Sequence, residues 1–456
     1  MLDHIEQRIV ELIDQRAEEI KAFGMDIYTH AETGFKEFRT AQKLTEGLES
    51  LGLQPETGIA VTGVKAYLKD PNSTEGLNIC LMGEMDALPM PLHPDAWEET
   101  GAAHACGHCC QMTGVYGAAM ALVDPEVKAA INGNVTFIGV PSEEFSSDTE
   151  YKLGLIKEGK IGCCGGKSEM IRLGALNDID ITVAHHTWNV DYAIVLNDSG
   201  NGFVNKSVRF IGKAAHGTQA PKGIDAFEAA QLAISAINAN RETFDDKDCV
   251  RVHGIMTKGG DASNIIADNI TMDYSVRAKT MPAIRQASYK VDRCLKAGAM
   301  AVGAGVEIET IAGYLPYVPS KNVNMLKSVL DDLSNGRKVD VIDSATDPMI
   351  HSAGSTDLGE LSCMMPIVQF GTNGFSGDGH TVTYRCIDQD LAYVETAKIY
   401  AICAYRLLKD NAKAANELLD GFKPLISQES FCQYLEEMQS VERVEMTPVP
   451  SFEEKK

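Results

Sequence analysis

The chain has 456 residues, 44% apolar and 23% charged, with a net charge of -23. Its length exceeds one average domain, so a large α/β domain plus a smaller one is expected. The acidity excludes nucleic acid and anionic membrane as partners, both of which need a basic footprint.

The opening stretch, "MLDHIEQRIVELIDQRAEEIK", mixes acids and bases on an amphipathic helix. It lacks the basic start and continuous apolar run of a signal peptide. No later segment reaches the apolar length of a membrane span. A cytoplasmic location is therefore expected, and the twelve cysteines are expected as thiols, ligands or core residues rather than disulfides. Helical spacing continues through "FKEFRTAQKLTEGLESLG" to a glycine stop near Gly52.

Short apolar runs then alternate with helical patterns, which predicts βαβ units and a mostly parallel sheet. Four of these runs end in reactive side chains. "LNICLMGEMD" ends in Glu84 and Asp86, "NVTFIGVPSEE" in Glu143 and Glu144, and "DIDITVAHH" in His185 and His186. "MPIVQFGTNGFSGDGH" runs into a glycine-rich loop carrying His380. Buried parallel strands are continuous apolar runs, and open α/β sheets bind ligands beyond the carboxyl ends of their strands. One sheet edge is thus expected to gather these carboxylates and imidazoles.

From residue 200 to 312 two strand–helix pairs suggest an inserted α+β domain: "FVNKSVRFIG" and "NITMDYSVRAK" as strands, "GIDAFEAAQLAISAIN" and "AIRQASYKVDRCLKAGAMAVG" as helices. The larger domain, 1–199, is expected to resume over 313–410. Residues 411–456 are expected as a helical tail with a charged end.

"HACGHCCQMTG" precedes a helical stripe of Met112, Val115, Tyr116, Ala119 and Leu122, which places it on a turn opening a helix. Such a turn exposes N–H groups and favours thiolate at Cys106. Cys106 and Cys109 form a CxxC, so a redox pair is one reading, and Cys109 and Cys110 also suit plain core packing. Redox chemistry needs neither His108 nor the gathered carboxylates. Thiolate, imidazole and carboxylate together suit zinc or a similar divalent ion. Of the adjacent Glu143 and Glu144, one can bind metal while the other serves as general base on a metal-activated water.

Taken in order, "GEMDALP", "HACGH", "PSEE", "DITVAHH", "KAAHGTQAPKGIDAFEAA", "ASNIIAD" and "GSTDLGEL" resemble the metal-dependent amidohydrolases and carboxypeptidases. That family includes aminoacylase, hippurate hydrolase, auxin-conjugate hydrolases and aminobenzoyl-glutamate hydrolase, and the first and last motifs point to the last branch. The resemblance covers residues from about 30 to 406. It implies a zinc-peptidase-like catalytic domain, a mostly parallel mixed sheet flanked by helices, with an inserted α+β dimerisation lid. It implies that Cys106, His108, Glu144, His186 and His380 hold two divalent metal ions (Zn, Mn or Co), with the Cys106 thiolate bridging. Glu143 is implied as general base and Asp86 as the group orienting a ligand histidine. His216 is implied to stabilise the oxyanion, usually from the partner subunit of a homodimer, and Asn264 and Arg277 to hold a substrate carboxylate. The substrate implied is a small amide or dipeptide, with a non-catalytic metal-binding descendant as the alternative. His186 is chosen over His185 by its spacing from Asp180, leaving His185 to pack inward. Cys109 stands where the family often has Asp or Asn.

Overall fold

A computed structural model describes residues 1–449 except 73, 322 and 348. Two compact units emerge. One comprises Met1–Ser199, Val318–His351 and Glu360–Gln428, the other Gly200–Tyr317, Ser352–Gly359 and the segment from Glu429 onward.

The first unit is built on an eight-stranded mixed sheet. Its strand order is Glu56–Ile59, Gly63–Tyr67, Asn134–Val140, Asn78–Glu84, Ile181–Thr187, Ile367–Thr372, Ala193–Asn197 and Val339–Asp343. The four middle strands, from Asn134–Val140 to Ile367–Thr372, run parallel. Asn134–Val140 and Asn78–Glu84 are buried at every position, as continuous apolar runs require when both faces are covered. These four strands are the ones whose sequences run toward Glu84, Glu143, His186 and His380, so the expected sheet edge exists.

Helix His108–Leu122 lies against this sheet and is buried on all sides. The apolar stripe therefore describes only one of its covered faces. On another face the small residues Gly114 and Gly117 admit helix Thr396–Gly421. A Cβ on Gly114 would stand 2.6 Å from Thr396 Cγ2, and one on Gly117 2.6 Å from Ala397 Cβ. Cys109 and Cys110 join this core, where each fully buried large apolar neighbour is worth about 1.5–3 kcal/mol. All twelve cysteines are free thiols.

The second unit carries an antiparallel five-stranded sheet in the order Arg251–Lys258, Asn269–Ala278, Gly202–Ile211, Gly305–Ala312 and Ser440–Val444. Alternating burial along Gly202–Ile211 and Asn269–Ala278 turns one face toward helices Ala226–Asn240 and Met281–Val302, which pack on each other and on the sheet. The tail expected as helices thus divides. Helix Thr396–Gly421 runs into it and helix Gln428–Met438 follows, but Ser440–Val444 becomes an edge strand. "SVERV" is too short and charged to announce itself as one, and its exposed positions are tolerated because an edge strand is only half covered. No helix among the described residues is long and apolar enough to cross a membrane.

Candidate metal and active site

The turn before helix His108–Leu122 is made by Gly107, whose φ of 77° suits glycine. It sets Cys106 and His108 at the carboxyl edge of the parallel strands. Three groups of potential ligand atoms form there, the members of each lying within 4.8 Å of one another: Cys106, His108 and His186; Cys106, Glu144 and His380; and Glu84, His108 and Glu143. Cys106 is common to the first two. Its Sγ lies 3.4 Å from His186 Nε2, and Glu144 Oε1 lies 3.3 Å from His380 Nε2. His380 is exposed, but its loop is tied back by a hydrogen bond from its amide to the Ala105 carbonyl at 2.8 Å.

Neighbouring groups fix which ring nitrogen faces the cluster. His108 Nδ1 sits 2.9 Å from the Asp86 carbonyl and 3.1 Å from Asp86 Oδ1, turning Nε2 inward. His186 Nδ1 meets the Thr187 carbonyl at 2.9 Å, with the same effect. Strand alternation sends His185 the other way, where it is buried and bonded to Thr372 Oγ1 at 2.7 Å.

The electrostatics of the cluster suit a cation. Burial pushes the Cys106 thiol up, with His108 opposing. Burial therefore works against the thiolate expected at this helix start. Burial likewise raises Glu144 and lowers His186. Burial would also raise Asp86, but hydrogen bonding and charge from His108 hold it well below the usual carboxylate range. His108 Nε2 and Glu144 Oε1 are buried and make no well-directed hydrogen bond. Such atoms are costly unless something else satisfies them. A sulfur, imidazoles and carboxylates in this arrangement match the donor set of divalent transition metals.

Glu84 belongs to the neighbourhood although its strand-end position alone gave it no role. Its Oε1 pairs with buried Lys167 Nζ at 2.5 Å, and its Oε2 accepts from Gln111 Nε2 at 2.6 Å and lies 3.1 Å from His108 Nε2. Glu84 is thus engaged by Lys167 and Gln111, and it faces the same His108 Nε2 that points into the cluster.

The remaining candidates belong to the second unit. His216 is exposed on a two-residue strand paired with Ile265–Ile266, and its Nδ1 accepts from the Thr218 amide at 3.2 Å. Exposed Asn264 is joined to this turn, its carbonyl accepting from Gly217 at 2.8 Å. Arg277, half-buried on strand Asn269–Ala278, donates to Ser355 Oγ at 3.1 Å and lies over the Phe203 ring at 5.2 Å.

Residues 80–406, well over half the chain, match the family model for peptidase family M20/M25/M40. The chain is 29% identical to the human (Homo sapiens) Xaa-Arg dipeptidase, over 97% of this chain and 96% of that one. It is 27% identical to a p-aminobenzoyl-glutamate hydrolase polypeptide of Escherichia coli K12, over 70% of this chain and 63% of that one. In fold it resembles a dinuclear metal-binding peptidase of the M20 family from Bacillus subtilis, with a TM-score of 0.63 at 20% identity over 87% of this chain and 99% of that one. The strand-end cluster and these likenesses agree, and the chain belongs to peptidase family M20/M25/M40 as a hydrolase of amide or peptide bonds.

Proposed function

We propose that this protein is a binuclear metal-dependent amidohydrolase that cleaves a dipeptide, an N-acyl amino acid or an aminobenzoyl-glutamate-like amide. The observation that carries the reading is the pair of ligand groups sharing Cys106, with Glu143 beside them. Cys106, His108 and His186 would hold one divalent ion, Cys106, Glu144 and His380 the other. Bound there, zinc, manganese or cobalt would polarise the scissile carbonyl and lower the pKa of the attacking water.

The chain's own groups do the rest. Glu143 takes the proton of the attacking water and returns it to the leaving amine. Asp86 keeps His108 in the orientation that presents Nε2. His216 donates to the oxyanion, while Asn264 and Arg277 hold the free carboxylate of the substrate. A homodimer through the second unit supplies His216 from the partner subunit. Supporting that assembly, strand Arg251–Lys258 pairs on one side only among the described residues and exposes Ile255.

Within this class, the near full-length likeness to mammalian Xaa-Arg dipeptidases favours a dipeptide over a folate fragment. The test is metal analysis of the purified protein, then a panel of dipeptides with basic or acidic C-terminal residues, N-acyl amino acids and aminobenzoyl-glutamate, with each metal restored. Hydrolysis of one class by metal-loaded protein is expected. Bound metal with no turnover anywhere on the panel supports the non-catalytic descendant instead. Absent metal with reactive Cys106 and Cys109 supports the redox reading.

A further inference from the structure

The loop that carries Glu143 and Glu144 is held from behind by buried ionisable groups arriving from separate parts of the chain. Glu37, fully buried just ahead of helix Phe38–Ser50, accepts from the Ser142 amide through Oε1 at 2.8 Å and from Thr62 Oγ1 through Oε2 at 2.7 Å. Lys152, fully buried in helix Thr149–Lys157, donates to the Glu144 carbonyl at 2.6 Å and the Phe145 carbonyl at 3.4 Å. Asp86 Oδ2 accepts from the Glu144 amide at 2.9 Å.

These bonds bracket a strained residue. Ser142 has φ +48°, a conformation costing roughly 1–3 kcal/mol for a non-glycine residue, which persists only where its surroundings impose it. Its hydroxyl donates to the Cys164 carbonyl at 3.0 Å and its carbonyl accepts from Gly166 at 2.9 Å. Space behind it is closed as well: a Cβ on Gly34 would stand 2.5 Å from Ser142 Oγ, and one on Gly166 1.6 Å from the Pro141 carbonyl oxygen. Left-handed backbone at Ser142 redirects the chain as it leaves strand Asn134–Val140. The directions of Glu143 and Glu144 depend on it.

We infer that Glu37 and Lys152 are positioning residues, a buried clamp that fixes the Ser142–Phe145 backbone so that Glu143 and Glu144 face Cys106 and His108. The inference rests on the proposed metallohydrolase reading but not on the family match, which begins at residue 80 and leaves out Glu37 and Thr62. Neither clamp residue needs to touch substrate or metal. Their chemistry makes the roles separable. The Ser142 amide can only donate, whereas the Thr62 hydroxyl donates or accepts. In Glu37→Gln the amide oxygen can stay on Ser142 and the NH₂ can turn to Thr62, so position is kept while the titratable carboxyl, pushed up to about 8 by burial and by Asp86, is lost. In Glu37→Met the volume is nearly kept and the acceptor is lost.

The experiment measures kcat, KM and metal affinity, the last by chelator competition on the full chain, for Glu37→Met, Glu37→Gln and Lys152→Met. The two Met variants are expected to lose about 10-fold or more in kcat and in affinity for one of the two metal equivalents, as for other groups that orient ligands. Their KM should stay within about twofold, since the interaction lost is not with substrate. Glu37→Gln should recover to within about threefold of wild type. Met variants within about threefold of wild type in kcat and metal affinity overturn the clamp. A Gln variant as impaired as Met overturns it in favour of a purely electrostatic role. Should the Met variants fail to fold, Thr62→Val removes only the hydroxyl that steadies Glu37, and unchanged kcat and metal affinity in that variant overturn the clamp. A wild type that binds no metal and cleaves nothing fails the proposed function instead.

Discussion

Asp86 and His108 form a directed pair at the floor of the cluster, with Oδ1 3.1 Å from Nδ1, while Asp86 Oδ2 accepts from the Glu144 amide at 2.9 Å. One fully buried carboxylate thus sets the rotation of a proposed ligand and the backbone of another. Asp86→Asn replaces one acceptor by a donor and cannot satisfy both neighbours. Metal affinity should fall about 10–100-fold, read by competition against a chelator. Unchanged affinity would remove Asp86 from the orienting role.

Glu143 is proposed to move protons rather than hold metal. Glu143→Ala should keep two equivalents of metal and the wild-type melting temperature while turnover falls about 10²–10⁴-fold. Metal content by elemental analysis and kcat on the best panel substrate check this. Activity near wild type excludes Glu143 as the base.

If His216 serves the partner's site, two dead variants should repair each other. His216→Ala and Glu143→Ala, unfolded and refolded together at equal concentration, should recover about a quarter of wild-type activity, because random pairing leaves one intact site in each mixed dimer. Each variant refolded alone should stay inactive. No recovery in a mixture shown by light scattering to be dimeric argues that His216 acts, if at all, within its own chain.

Removing metal should cost stability as well as activity. A cation bound only by the folded chain contributes about 2.7 kcal/mol per site at a free concentration one hundred times its Kd. Chelated protein should therefore melt lower and regain its melting temperature when metal is restored. Identical melts with and without chelator, in protein shown to be loaded, would contradict the site.

Glu6 offers a stability test remote from the cluster. Fully buried, it pairs with Arg406 at 2.7 Å and Lys409 at 3.0 Å, tying the first helix to the last long one. Burial alone would raise its pKa, but hydrogen bonds from Arg406, the Asp3 amide and Lys409 hold it below its ordinary 4.5. With the folded value depressed, this contribution is fully present above the unfolded pKa and is lost as pH falls through the folded one. Glu6→Gln should lose about 3 kcal/mol at neutral pH, and the gap to wild type should narrow below about pH 4. Thermal melts at the two pH values decide it; a gap independent of pH would mean the ion pair is not its source.

How much of this was legible in the residues differs from one group to the next. Asp86, Glu143, Glu144, His186 and His380 each follow an apolar run, and a parallel strand buried on both faces has no other way to be written. The glycine before His108 and the small residues after it mark a tight turn and a close helix. Lys152 and Lys167 were not legible. Within "TEYKLGLIK" and "GKSEMIR" a lysine has the pattern of a solvated face, and nothing local says that it is buried. Their partners come from other elements, Glu84 standing 83 residues from Lys167. Glu37 is 105 residues from the Ser142 amide.

The sequence by itself determined the four buried parallel strands, which side chains stand at their ends and what chemistry those side chains can do, because period and residue type are local properties of the chain. The tertiary structure decided which of those ends are neighbours, that Ser440–Val444 completes a sheet rather than trailing as a tail, and which buried ionisable groups brace the Glu143–Glu144 loop. Those outcomes depend on strand order and on pairings across many tens of residues, and a one-dimensional pattern does not encode distance in space.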